Sequence, residues 1–62
     1  MRAKCLVDTK EGIKDPEITA GRFYNVLETD VMVMGESDIR ISIVGDKGIQ
    51  IDRPGSWFKE LK

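Results

Sequence analysis

The sequence predicts an all-β domain, a small five-stranded barrel with a single 3₁₀ turn before the last strand. Three observations carry this expectation. Apolar and polar residues alternate over short runs, no segment of ten or more residues carries a helical apolar stripe, and glycine-bearing turns separate the runs at hairpin spacing. Short strands joined by two tight turns and one long loop are best satisfied by a barrel, which also removes exposed sheet edges.

Each element follows in order. The first strand is expected over Ala3 to Val7, with Cys5 and Val7 on one face and Lys4 and Leu6 on the other. From Asp8 to Glu17 the chain turns polar, with Gly12 and Asp15-Pro16 as breakers, and reads as an excursion tethered by Ile13 and Ile18. A loop of that length in so small a domain is functional or folds back as an irregular hairpin. Gly21 supplies the positive φ of a tight entry into the central strand, which runs from Arg22 toward Met34. Tyr24 and Val26 share one face and Phe23, Asn25 and Leu27 the other, so this strand is expected to pack on both sides. Gly35-Glu36-Ser37-Asp38 makes a turn. Ile39, Ile41 and Ile43 then alternate with Arg40, Ser42 and Val44, the pattern of a half-buried antiparallel strand. A second turn over Gly45 to Gly48 suits Gly48 in the left-handed region, after which Ile49 and Ile51 face inward and Gln50 and Asp52 face water. The tail suits a 3₁₀ turn begun by Pro54 and a short closing strand, with Phe58 and Leu61 in the core and Trp57 pointing out.

Composition bounds the function. A chain of 62 residues makes one domain and buries only about 60% of the surface its unfolded form exposes. Ten basic side chains against eleven acidic ones give a net charge of −1, which argues against a protein that lives on nucleic-acid phosphate. The lone Cys5 cannot form an internal disulfide, so a reducing cytoplasm is the expected setting. The longest apolar run, Val31 to Met34, is far short of the ~20 residues of a membrane span, and the N-terminal stretch lacks a signal-peptide core.

Catalysis finds little to work with. There is no histidine, and Cys5 stands in an apolar strand where an inert core thiol is the ordinary reading. Asp8, Glu11, Asp15 and Glu17 do not match a calcium-loop spacing, and no thiol or imidazole cluster supports zinc. The ordinary reading there is a solvated acidic loop, with Glu11, Asp15 and Glu17 kept as candidate partner contacts. The glycines fit no phosphate cradle. The expectation is a non-enzyme without cofactor or metal.

Binding features are more informative. Glu28, Asp30, Glu36 and Asp38 fall in a stretch without a base, so one end of the domain is expected to be negative and to steer a basic or mixed protein surface. Solubility alone would explain such charges equally well. Met32 and Met34 belong to the Val31 to Met34 arm, where alternation forces two of four apolar side chains outward unless a second copy or a partner covers them. Trp57 is the expected anchor of a binding surface, its alternative being to fill an open end of the barrel.

The order of a short first strand, a long acidic loop, Ile18-Thr19-Ala20-Gly21 leading into Tyr24-x-Val26, a turn with Gly48, and Pro54-x-x-Trp57-Phe58-x-x-Leu61 resembles the Src-homology-three barrel. Lys4-Cys5-Leu6-Val7 and the Pro54 to Phe58 segment are similar to those of small Src-homology-three-like proteins of phages and prophages of Gram-positive bacteria. The resemblance departs at the proline-peptide groove. Val7 and Thr9 stand where the groove tyrosines belong, and Ile39 and Arg40 replace the paired tryptophans, so only Trp57 remains to grip a polyproline helix. The resemblance thus implies the fold and a setting in the host cytoplasm, but not that ligand. It implies stoichiometric binding to a host protein, with inhibition of a host-defence system among the roles. Two other classes stay open. An oligomeric sponge for a nucleotide signal would need several copies to build a pocket. A nucleic-acid-binding small barrel would need a basic face with aromatics, for which the aromatics are few and the charge even.

Overall fold

The computed structural model describes residues 1–35 and 37–61, so Glu36 of the expected acidic turn lies outside the described residues, as does Lys62. Among the described residues seven strands form in chain order: β1 (Arg2–Cys5), β2 (Thr9–Lys10), β3 (Ile13–Lys14), β4 (Phe23–Val31), β5 (Arg40–Val44), β6 (Gln50–Pro54) and β7 (Phe58–Leu61). A 3₁₀ turn, Gly55–Trp57, connects β6 to β7 where the Pro54 signal placed it. Five strands make one antiparallel sheet in the order β6-β5-β4-β1-β7, and β2 and β3 pair as a separate hairpin. The Asp8 to Glu17 excursion therefore folds back on itself. Its turn uses Glu11 at φ 53° and Gly12 at φ 80°, the two successive left-handed residues that a two-residue hairpin loop requires.

The sheet is not closed. β7 pairs with β1 but not with β6 as well, so β6 and β7 remain the two edges and the expected removal of edges is not reached. The 3₁₀ turn crosses between them, fastened where the Gly55 N–H donates to the Ile39 carbonyl at 2.9 Å. One core forms: Ala3, Cys5, Ile18, Tyr24, Ile41, Ile43 and Phe58 are buried, with Val26, Ile51 and Trp57 packed against them. Tyr24 and Phe58 meet edge to face, their ring centroids 6.2 Å apart.

Several expected orientations change, each for a local reason. β1 ends at Cys5, so Val7 leaves the face it was to share with Cys5 and is exposed; the Leu6 and Val7 N–H groups instead donate to the Trp57 carbonyl. Ile13 is no tether: it stands 74% exposed on the hairpin, and Ile18 alone of the expected pair enters the core. β4 packs on one side only, since no layer covers Phe23 and Leu27. It also stops at Val31, because register shifts on either side of Glu28 and a left-handed Asp30 at φ 57° bend the strand out of the ladder. Met32, Val33 and Met34 are all exposed beyond it, one more than alternation required. Ile39 and Ile49 were expected inside but precede β5 and β6, past the reach of the core, and are 50% and 60% exposed. Ser42 was expected at the surface and is buried, because the Gln50 side chain donates to its hydroxyl at 2.7 Å.

Candidate functional site

The β2–β3 hairpin is positioned by its acids. The Asp15 N–H donates to the Asp8 carbonyl at 2.6 Å, closing the base of the excursion, and the Glu17 N–H donates to Asp15 Oδ1 at 2.9 Å. Asp8 accepts the Ala20 N–H at 2.9 Å, so it anchors the far end of the same loop. Lys14 Nζ donates to the Ile18 carbonyl at 2.8 Å. The long-range fastening is Arg53, whose guanidinium grips both oxygens of Asp15 from β6, through Nε to Oδ2 and through Nη2 to Oδ1. That pairing is bidentate and half-buried, the strong form of the interaction. It holds the Asp15 carboxyl below the usual range despite partial burial, and the Ala20 N–H does the same for Asp8. Glu17 reaches Lys47 at 3.4 Å. Asp15 and Glu17 are thus structural fasteners rather than solvated charges, whereas Glu11 at the hairpin turn is exposed.

Fixing the hairpin in this way sets it against the 3₁₀ turn and opens a cleft of about 410 Å³ between them. Trp57 forms one wall, and Lys10, Glu11, Ile13, Lys14, Asp15 and Pro16 form the other. Trp57 is half-buried: it packs on the core and still presents surface to this cleft. A partner side chain entering here would meet an indole, an exposed isoleucine and a proline ring, rimmed by alternating charges.

Asp38 does not join this cleft. It lines a separate one of about 470 Å³ along the open side of the sheet, where Asp30, Asp38 and Glu60 stand around Ile41 and Phe58. Met32 and Met34 lie past the end of β4 and line neither cleft. Sequence reasoning missed Lys10, Lys14 and Arg53 as parts of the Trp57 cleft and its support. The Glu11-Gly12 pair was the available signal, since a two-residue turn there fixes the Thr9–Lys14 and Lys10–Ile13 pairings.

A third constellation is polar. The Tyr24 hydroxyl donates to Asp46 Oδ1 at 2.7 Å and accepts the Thr19 N–H at 2.7 Å, while the Thr19 hydroxyl donates to Asp46 Oδ2 at 2.8 Å and Arg22 pairs with Asp46 at 3.2 Å. The Tyr24 bond, helped by Thr19 and Arg22, holds Asp46 below the usual carboxylate range; burial and then Asp46 push Tyr24 up. Burial, then the Asp8 charge, likewise push the Cys5 thiol up, so it stays protonated at neutral pH. Among the described residues no three acidic, cysteine or histidine side chains converge to hold a metal ion, and no helix is long and apolar enough to cross a membrane. Compared with family models, curated proteins and solved structures, the chain matches none.

Proposed function

We propose that the chain is a non-enzymatic binding module of Src-homology-three-like architecture, which docks one protein partner in the cleft between the β2–β3 hairpin and Trp57. The observation that carries this reading is Trp57 itself, set between core and cleft and opposed by Ile13, an apolar side chain left 74% exposed on a hairpin that Arg53 and Asp15 hold in place. An exposed apolar residue on a fastened hairpin serves no packing purpose, but it is preorganised for contact. The rim alternates Lys10 and Lys14 with Glu11 and Asp15, which suits a partner of mixed surface charge. The resemblance of the end motifs to small phage proteins makes a host protein the partner class, met in the host cytoplasm, with inhibition of a defence protein the expected consequence of binding.

The test is capture from bacterial lysate followed by binding kinetics with the purified partner. Trp57→Ala should raise the dissociation rate and cost on the order of 2 kcal/mol or more, as buried aromatic anchors do. Because Trp57 also packs on the core, Ile13→Ser is the companion variant, and it should weaken binding while leaving the melting midpoint in place. A partner that binds both variants as it binds the wild type, per folded molecule, overturns the assignment.

A further inference from the structure

The even charge balance conceals a segregation. The strand register sets Lys59, Lys4 and Phe23 in one row across β7, β1 and β4, and Leu61, Arg2 and Asn25 in the next. Directly opposed residues of antiparallel strands share a face, and Ala3, which alternates with Arg2 and Lys4, is buried, so both rows lie on the outer face. They hold three cations and no acid. Lys4 stands directly opposite Lys59, and like charges so placed destabilise a sheet. A face shaped for solubility alone would mix its signs. Beside these cations the Phe23 ring is 49% exposed, with the Arg2 guanidinium lying over it 5.2 Å from its centroid, so a base that stacks there displaces Arg2 toward a phosphate. Arg2 and Arg22 wall a cleft of about 280 Å³ that Phe23 and Asn25 also line, the Arg22 charge being taken up by Asp46 at 3.2 Å. The acid in that cleft, Asp46, is already engaged by Tyr24, Thr19 and Arg22.

We propose that this outer face of β4, β1 and β7 binds single-stranded nucleic acid, with phosphates on Arg2, Lys4 and Lys59 and an unpaired base stacked on Phe23. The cations call for a polyanion, and the ring selects among polyanions. Every base presents a π-face, which a duplex hides, which anionic lipid headgroups lack and which an acidic protein offers only at an exposed aromatic side chain. Asn25 lies beside the ring with both a donor and an acceptor for a base edge. The surface shares no residue with the Trp57 cleft, so it goes beyond the protein-docking reading and stands or falls separately from it.

The experiment is fluorescence anisotropy with a short labelled oligothymidylate over a range of salt concentrations. Three neutralised phosphates predict a slope of log affinity against log salt of about −2, at roughly −0.7 per contact for a single strand. Phe23→Ala should weaken binding about tenfold, the loss expected for one stacked base. Lys4→Glu should weaken it by a similar factor and at the same time raise the melting midpoint, because it places an ion pair where a like-charge pair stood. A surface that matters only to the fold would not move those two readouts in opposite directions. Absence of salt-dependent binding by the wild type overturns the proposal. So does a Phe23→Ala variant that binds like the wild type while duplex DNA, polyglutamate and anionic vesicles bind equally well, since the face would then recognise negative charge in general.

Discussion

Replacing Tyr24 by phenylalanine isolates the polar network that joins the loop before β4 to the β5–β6 turn. The ring stays, so the edge-to-face contact with Phe58 is kept and only the hydroxyl is lost. Two bonds go with it: the one donated to Asp46 at 2.7 Å and the one accepted from the Thr19 N–H at 2.7 Å. A hydrogen bond to a charged group contributes about 1.5–3 kcal/mol, and a donor left without an acceptor costs about 1–3 kcal/mol when buried. Thr19 is only half-buried, so water relieves part of the second loss, and the expected cost is about 2–3 kcal/mol. For 62 residues at roughly 0.05–0.15 kcal/mol each, total stability is about 3–9 kcal/mol, so this single hydroxyl carries a large share. Urea unfolding followed by the fluorescence of Trp57, the sole tryptophan, reads the change directly. With an m-value near 1 kcal/mol/M for so small a domain, the midpoint should fall by about 2–3 M with m unchanged. A midpoint within about 0.3 M of the wild type would refute the reasoning and show that water replaces the network without loss.

Two further outcomes follow from the same packing. Asp46, Asp15 and Asp8 are all held below the ordinary carboxylate range, so their contribution is present above the unfolded-state value near 3.9 and is lost as pH falls through the lower folded values. Urea midpoints should therefore be flat from neutral pH to about 5 and fall below about 4, less steeply in Asp15→Asn, which no longer titrates at that site. Gly45→Ala should destabilise by about 1–3 kcal/mol, since the added methyl would lie 2.8 Å from the Glu17 carbonyl oxygen and 3.0 Å from Ile51 Cδ1; an unchanged melting midpoint would show that the Glu17 backbone retreats freely.

What the sequence made legible was local. Turn chemistry placed Gly21 and Gly48 correctly at positive φ, alternation found β5 and β6, and the turn begun by Pro54 set Phe58 inward, though Leu61, expected in the core with it, stands outside the core opposite Arg2. Pro54 marked the 3₁₀ turn. What alternation cannot contain is how far the second layer extends. Ile39 and Ile49 keep the period of their strands but fall beyond the core, and Ser42 is covered by Gln50, a neighbour eight residues away. Edge closure was equally hidden, because it depends on whether β7, paired with β1, also reaches β6. The acids of the excursion were misread for a related reason. Asp15 acquires its role only when Arg53, 38 residues on, is brought to it. A sum over the chain also erases the placing of Arg2, Lys4 and Lys59 on one face and of Asp30, Asp38 and Glu60 around another cleft.

The pairing of β1 with β7 also sets a timetable for synthesis. Among the described strands β1 is made first, yet one of its two neighbours, β7, is made last, with Arg2 opposite Leu61. At about 5–20 residues per second, a ribosome holds the early strands for seconds before that neighbour emerges. Until then the nascent sheet ends on β1, an unpaired edge open to other chains. Folding is consequently completed only after residues 58–61 are free, and a fragment ending at Trp57 should be insoluble rather than partly functional.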